Sequence, residues 1–310
     1  MRVAAIDLGT NTFHLLIAET QELDFNILYK TNAPVRLGEG KLNDNIIIDA
    51  AFVRGLDQLT EFAEKLKEYR VDVVKATGTS AIRSAKNGRA FVEAVYEKTG
   101  ITIDVISGDE EAALIYEGVK ASGAIEGISM IMDIGGGSTE FIICDQQQVL
   151  WKKSYDVGAA RLLQGFFHSD PLSKTDKTVI DKHLDHLFTD LKQMTETHQP
   201  AILIGSAGAF ETFAGMINPD LNLKDIKSTS IDLEGYKSLA ETFLKSTHQQ
   251  RVNMPGLIPL RVDMIVMAVL ITNYVLGFSK IQKINLSTYD LKMGVLATLI
   301  SIHQANFNNS

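Results

Sequence analysis

The sequence predicts an α/β protein built of two related halves, and three observations carry that prediction. Eleven residues recur: Asp7-Leu-Gly-Thr-Asn-Thr-Phe-His-Leu-Leu-Ile17 aligns with Asp133-Ile-Gly-Gly-Gly-Ser-Thr-Glu-Phe-Ile-Ile143, 126 positions later. A second pair keeps the order: Ala76-Thr-Gly-Thr-Ser-Ala-Ile82 stands 127 positions before Leu203-Ile-Gly-Ser-Ala-Gly-Ala209. Each half also reads as strands first, then alternating helices and strands.

In the first half, apolar runs predict strands over Val3–Asp7, Thr12–Glu19 and Phe25–Thr31, followed by a loop with Gly38 and Gly40. Phe52, Leu56, Leu59, Phe62 and Leu66 recur at helical spacing, so Ile48–Tyr69 is read as a helix. Strand Val71–Thr77, helix Gly88–Lys98, strand Ile101–Ile106 and helix Asp109–Lys120 follow. The glycine-spaced segment Gly118–Gly127 reads as the linker. The second half restarts with strands Ser129–Asp133, Thr139–Asp145 and Val149–Tyr155. Helices Ala159–Phe167 and Lys174–Thr195, strand Ala201–Gly205, and helices Ala209–Met216, Leu233–Lys245 and Arg261–Gly277 come next. Strand Ile281–Leu286 and helix Asp290–Ile302 close the pattern.

A chain of 310 residues fits two domains. With 45% hydrophobic and 22% charged residues it reads as globular. The formal net charge of −8 argues against nucleic-acid or membrane partners; a polyanionic ligand needs a local positive field. Cys144 is the single cysteine, so no intrachain disulfide forms; this fits a cytoplasmic location, and its strand pattern predicts a packed thiol. Arg2 leads straight into a strand rather than an apolar signal region, so no secretory leader is expected. The apolar stretch Met264–Phe278 is short for a membrane span and reads as a buried helix.

The two repeated turns are the candidate chemistry. Gly135, Gly136 and Gly137 let the backbone approach an oxyanion, and Ser138 adds a hydroxyl; Thr10, Asn11 and Thr12 form the matching cradle. The two turns are expected to close on one phosphate-rich ligand across an interdomain cleft. The junctions at Ala76–Ala81 and at Gly205–Gly208 place helix N-termini where an anion can sit, and Arg83 offers a bidentate guanidinium. Asp7, Asp133 and Glu140 lie beside these turns. Acids next to a phosphate cradle repel it unless a divalent cation such as Mg²⁺ bridges them. His14 takes the place of Glu140 in the first copy and reads as a packed or rim histidine. Ser107-Gly-Asp-Glu-Glu-Ala112 begins a helix; its acids suit the helix dipole, and one of Glu110 and Glu111 is placed to take a proton from water. No Ser/His/Asp spacing, G-x-G-x-x-G or P-loop is present, leaving direct attack of water or a substrate hydroxyl on phosphate.

Together these blocks resemble the actin-like ATPase superfamily and, within it, the exopolyphosphatase and guanosine pentaphosphate phosphatase family. Ala5–Leu15, Ala76–Arg83, Ile106–Ala112 and Asp133–Glu140 carry the resemblance; Gly158–Arg161 and Gly205–Gly208 extend it nearly end to end. It implies two actin-like (ribonuclease H-like) lobes, each a mixed sheet flanked by helices. The expected N-terminal lobe is 1–123 plus about 297–310, and the C-terminal lobe 124–296. It implies that Glu111 is the general base, Glu140 a second essential acid and Asp133 a metal-linked aspartate, with phosphate contacts from Arg83, Asn11 and Gly135–Ser138. The implied reaction is Mg²⁺-dependent release of terminal phosphate from polyphosphate, or of the 5′ γ-phosphate from pppGpp, in a chain without the longer members' helical C-terminal domains. A homodimer is the family-level expectation. Two departures stand out: Ala209 replaces a usual threonine, and Leu291-Lys-Met-Gly294 replaces Leu-Arg-Glu-Gly. A small-molecule kinase of the same superfamily and a non-catalytic polyphosphate or alarmone sensor are the competing readings.

Overall fold

The computed structural model describes residues 1–21, 24–206 and 208–308, and the chain divides into two compact units. Unit 1 comprises Met1–Gly118 with Leu291–Ser310, and unit 2 comprises Val119–Asp290. Ala207 of the second small-residue turn and residues 309–310 of the expected N-terminal lobe lie outside the described residues.

Unit 1 opens with β1 (Arg2–Leu8), β2 (Phe13–Gln21) and β3 (Asp24–Ala33), then α1 (Asp49–Glu68), β4 (Val73–Gly78), α2 (Ser80–Ser84), α3 (Gly88–Thr99), β5 (Ile103–Val105) and α4 (Gly108–Ser122), whose last four residues count with unit 2. The strands order as β3-β2-β1-β4-β5. The β1–β2 and β2–β3 pairs are antiparallel and the β1–β4–β5 pairs parallel, giving a mixed sheet. Strand β1 is central, and Val3, Ala4, Ala5 and Ile6 are fully buried, which explains its unbroken apolar run.

Unit 2 holds β6 (Ser129–Ile134), β7 (Thr139–Cys144), β8 (Val149–Tyr155), α5 (Ala159–Phe166), α6 (Lys174–Leu187), α7 (Thr189–His198), β9 (Ile202–Ser206) and α8 (Gly208–Ile217). It continues through β10 (Ser228–Ile231), α9 (Leu233–Lys245), α10 (His248–Val252), a 3₁₀ turn (Pro259–Arg261), α11 (Ile265–Phe278) and β11 (Lys283–Ser287). Its sheet orders as β10-β11-β9-β6-β7-β8 and is likewise mixed. The chain then returns to unit 1 through α12 (Leu291–Asn308), which packs on β1. At Gly294 a Cβ would stand 1.8 Å from the Leu114 carbonyl oxygen, so α12 crosses α4 at backbone contact.

Four expectations need correction. The helix read over Lys174–Thr195 is two helices, because Phe188 leaves helical geometry (ψ 23) and its buried ring joins Phe141 and Tyr155. The helix read from Arg261 starts instead at Ile265, after the turn that Pro259 opens. The linker is shorter than Gly118–Gly127, since α4 runs on to Ser122; Gly123 and Gly127, at φ +75 and +62, break regular structure there. The edge strand β10 and the short α10, closed by a Thr247/Gln250 capping box, have no counterpart in the sequence reading. Cys144 is fully buried, and burial pushes its thiol up to about 12, as expected of a packed residue. No helix among the described residues is long and apolar enough to cross a membrane.

Candidate phosphate-binding and catalytic residues

The two repeated motifs build the same turn in each unit. In unit 1 the Gly9 amide donates to the Thr12 carbonyl at 3.2 Å; in unit 2 the Gly135 amide donates to the Ser138 carbonyl at 3.0 Å. A Cβ on Gly9 or Gly135 would lie only 2.9 or 3.0 Å from those acceptor oxygens, so glycine closes both turns. The register then lines up one row of side chains across each sheet. In unit 1 the row is Thr77, Asp7, His14 and Asn32; in unit 2 it is Ser206, Asp133, Glu140 and Ser154. Directly paired residues share a sheet face. The unit 2 row is also hydrogen-bonded: Ser206 Oγ donates to Asp133 Oδ2 at 3.2 Å and Ser154 Oγ to Glu140 Oε1 at 2.7 Å. Both carboxylates are buried, at 8% and 2% exposure.

In the unit 2 turn, α5 decides which way the peptides face. The Ala159 amide donates to the Gly135 carbonyl, those of Ala160 and Arg161 to the Gly136 carbonyl, and Arg161 Nε to the Gly137 carbonyl, all within 3.1 Å. A trans peptide points its N–H opposite its C=O. The amides of Gly136, Gly137 and Ser138 therefore face away from α5, as an anion cradle requires. Gly158 admits this approach, since a Cβ there would fall 2.5 Å from the Gly136 carbonyl carbon. In unit 1 the 36–38 segment plays the comparable part. Arg36 N–H binds the Asn11 carbonyl at 2.7 Å and Gly38 N–H the Thr10 carbonyl at 3.0 Å. Thr10 is buried with its methyl against Gly38, whereas Asn11 and Thr12 are half-buried.

Arg83 sits on the one-turn helix α2, behind the Gly78–Thr79 turn. Its Nη1 donates to Glu111 Oε2 at 2.9 Å and to the Ile106 carbonyl at 3.0 Å. The Glu111 side chain is 9% exposed. Burial raises its pKa above the ordinary glutamate value, and the charge and hydrogen bond of Arg83 pull it back in part. The neighbouring Glu110 caps the helix instead. Its Oε2 accepts from the Ser107 amide and hydroxyl, both at 2.8 Å, while Ser107 Oγ accepts from the Glu110 amide at 3.2 Å. This capping box separates the two glutamates by role.

The Gly205–Gly208 junction meets a residue, Arg261, that the sequence places at the start of a helix. A Cβ on Gly205 would meet the Phe210 ring at 1.9 Å, so that glycine serves packing. A Cβ on Gly208 would stand 1.5 Å from Arg261 Nη2: the guanidinium lies on the first residue of α8. Arg261 Nε is buried without a hydrogen-bond partner. Burial lowers its pKa, and Glu211 and Asp133 are the acids that oppose this. The local signal was Pro259, which favours a helix start or turn over a helix interior; nothing in the sequence brings Arg261 to Gly208.

Unit 2 thus collects Asp133, Glu140, Gly135–Ser138, Gly205, Gly208 and Arg261 around the β6, β7 and β9 ends. Unit 1 holds Asp7, Thr10, Asn11 and Thr12 in one turn, and Arg83 with Glu111 as an ion pair. Among the described residues no group of three or more His, Cys, Asp or Glu forms a metal cage.

Comparison with known proteins identifies the family of the chain. The model of the Ppx/GppA phosphatase family matches residues 16–303. A Haemophilus influenzae protein named as a candidate exopolyphosphatase is 30% identical over 297 residues, covering 96% of this chain and 91% of its own length. A guanosine-5′-triphosphate,3′-diphosphate pyrophosphatase of Aliivibrio fischeri is 30% identical over 259 residues, covering 82% of this chain but 50% of its own. This chain therefore spans about half of that longer relative. The crystal structure of an exopolyphosphatase from Cytophaga hutchinsonii superposes with TM-score 0.94 at 36% identity, covering 97% of this chain and 98% of the other.

Proposed function

Since this chain belongs to the Ppx/GppA phosphatase family, we propose that it releases a terminal phosphate from inorganic polyphosphate, or the 5′ γ-phosphate from pppGpp, by attack of water. Its two mixed sheets are actin-like lobes. The observation that carries the reading is the 135–138 turn, whose carbonyls are held by α5 and Arg161 so that three successive amides face the other way.

In this reading Gly136, Gly137 and Ser138 take phosphoryl oxygens through main-chain amides, and Thr10, Asn11 and Thr12 supply the counterpart in unit 1. Glu111 accepts a proton from the attacking water. Its raised pKa brings it nearer to the operating pH, where a general base works best. Arg83 orients Glu111 through Nη1, and its remaining N–H groups are the phosphate donors. Asp133 and Glu140 fit a hard divalent cation such as Mg²⁺, which takes one or two carboxylates and fills its shell with phosphate oxygens and water. Each of the two is buried, oriented by a serine hydroxyl, and separated from the cradle by the single row Ile134 and Thr139. When bound, the cation neutralises phosphoryl charge. Asp7 occupies the equivalent place in unit 1 and is the less central ligand candidate.

The test is phosphate release from tripolyphosphate and from pppGpp with Mg²⁺, comparing wild type with Glu111→Gln. The expected loss in kcat is about 10²- to 10⁴-fold. Equal rates would remove Glu111 as the base, and the ratio of kcat/KM on the two compounds assigns the substrate.

A further inference from the structure

Arg251 is the largest fully buried side chain among the described residues, at 1% exposure, and the chemistry above does not use it. Its Nε donates to the Val262 carbonyl at 3.1 Å and its Nη1 to the Ser246 carbonyl at 2.7 Å, while Nη2 lies 3.5 Å from Asp170 Oδ1. Asp170 in turn accepts the His248 amide at 2.7 and 2.8 Å. His248 Nε2 then meets Asp263 Oδ1 at 2.9 Å. The two residues that follow Arg261, Val262 and Asp263, are therefore gripped by two side chains of α10, and Asp170 anchors both grips. Inside the turn, Arg261 N–H binds the Ile258 carbonyl at 2.9 Å and the Met264 amide binds the Arg261 carbonyl at 3.1 Å.

A buried guanidinium with one carboxylate at 3.5 Å is a costly way to fill a core. A methionine of similar volume would bury more cheaply but could not hold a carbonyl. We infer that Arg251 is a positioning residue: by fixing Val262, with His248 fixing Asp263, it lays the Arg261 guanidinium, whose buried Nε has no partner, on Gly208 at the start of α8 as a further phosphate donor, and so sets affinity for a phosphate chain that Arg251 never touches. The inference rests on the proposed phosphate-binding reading of unit 2.

The test measures tripolyphosphate binding by titration calorimetry in the presence of Mg²⁺, so that it does not depend on turnover. Arg251→Met is expected to weaken binding about tenfold, the low end of the loss when a group that orients a metal ligand is removed. In an Arg261→Gln background the same change is expected to have no further effect, because two changes acting through one group do not add. His248→Ala tests the more exposed half of the clamp, where the His248 and Asp263 side chains are 52% and 43% exposed, and it keeps the test open if Arg251→Met fails to fold. Its loss is likewise expected to vanish without Arg261. Equal losses in both backgrounds, or no loss from either clamp variant, overturn the inference. Wild-type affinity in Arg261→Gln also overturns it. A coupled loss of binding in a protein that releases no phosphate would instead sink the hydrolase reading and leave the clamp standing.

Discussion

Glu111 faces two opposing influences: burial favours its protonated form, and Arg83 favours the carboxylate. The sign of the pH dependence follows. As the proposed base, Glu111 works only when deprotonated, so kcat/KM is expected to rise with pH, with an acid limb above that of an ordinary glutamate, about 4.3. Arg83→Met moves that limb further up, because the charge that lowered the pKa is gone; a pH–rate profile of the two proteins reads the shift. A limb that moves down, or not at all, would mean that Arg83 does not tune the base. Part of this was legible beforehand. The order Ser107-Gly-Asp-Glu110 is itself a capping-box pattern, so Glu110 could have been assigned to the helix end from sequence alone. That Arg83 meets Glu111 is a long-range fact that no local pattern contains.

At the level of elements, glycines mark where one segment rests on another, and what each glycine touches decides the effect of filling it. Gly158 abuts the backbone of Gly136: a Cβ there would stand 2.5 Å from the carbonyl carbon and 2.6 Å from the oxygen. Gly158→Ala must push α5 off the 135–138 turn and is expected to cost about 1–3 kcal/mol. Thermal unfolding and KM should both worsen. Gly208 abuts the far end of the Arg261 side chain, which can swing away. Gly208→Ala is therefore expected to keep its melting temperature within a few degrees while tripolyphosphate affinity falls, a split that calorimetry and a binding titration would show. Strands were legible because β1, β6 and β7 are buried on both faces and so read as apolar runs. The break at Phe188 was hidden because both flanking segments keep helical spacing, and only the ring's place among Phe141 and Tyr155 favours the kink. Strand β10 was hidden because an edge strand of four residues, Ser228–Ile231, with one buried position, carries too weak a pattern.

Over the whole molecule, unit 2 is one continuous stretch, whereas unit 1 is assembled from both ends of the chain. Helix α12 covers β1, and Gly294 lets it reach the backbone of α4. Gly294→Ala, with a Cβ 1.8 Å from the Leu114 oxygen, is expected to destabilise unit 1 while unit 2 keeps its own transition. Hydrogen exchange resolved by segment would show protection lost in 1–118 and kept in 119–290. Uniform loss would instead mean that the two units unfold as one. The duplication itself was the most legible feature, because it is written twice in the same order; the return of the last helix to the first sheet is not, since α12 bears no mark of its destination. That return has a cost in time during synthesis. The 118 residues that begin unit 1 leave the ribosome well before Leu291–Ser310. At 5–20 residues per second the wait for unit 2 to be made is roughly ten to thirty-five seconds. Through that interval β1 lacks its covering helix, so the apolar surface that α12 later buries stays open on the nascent chain.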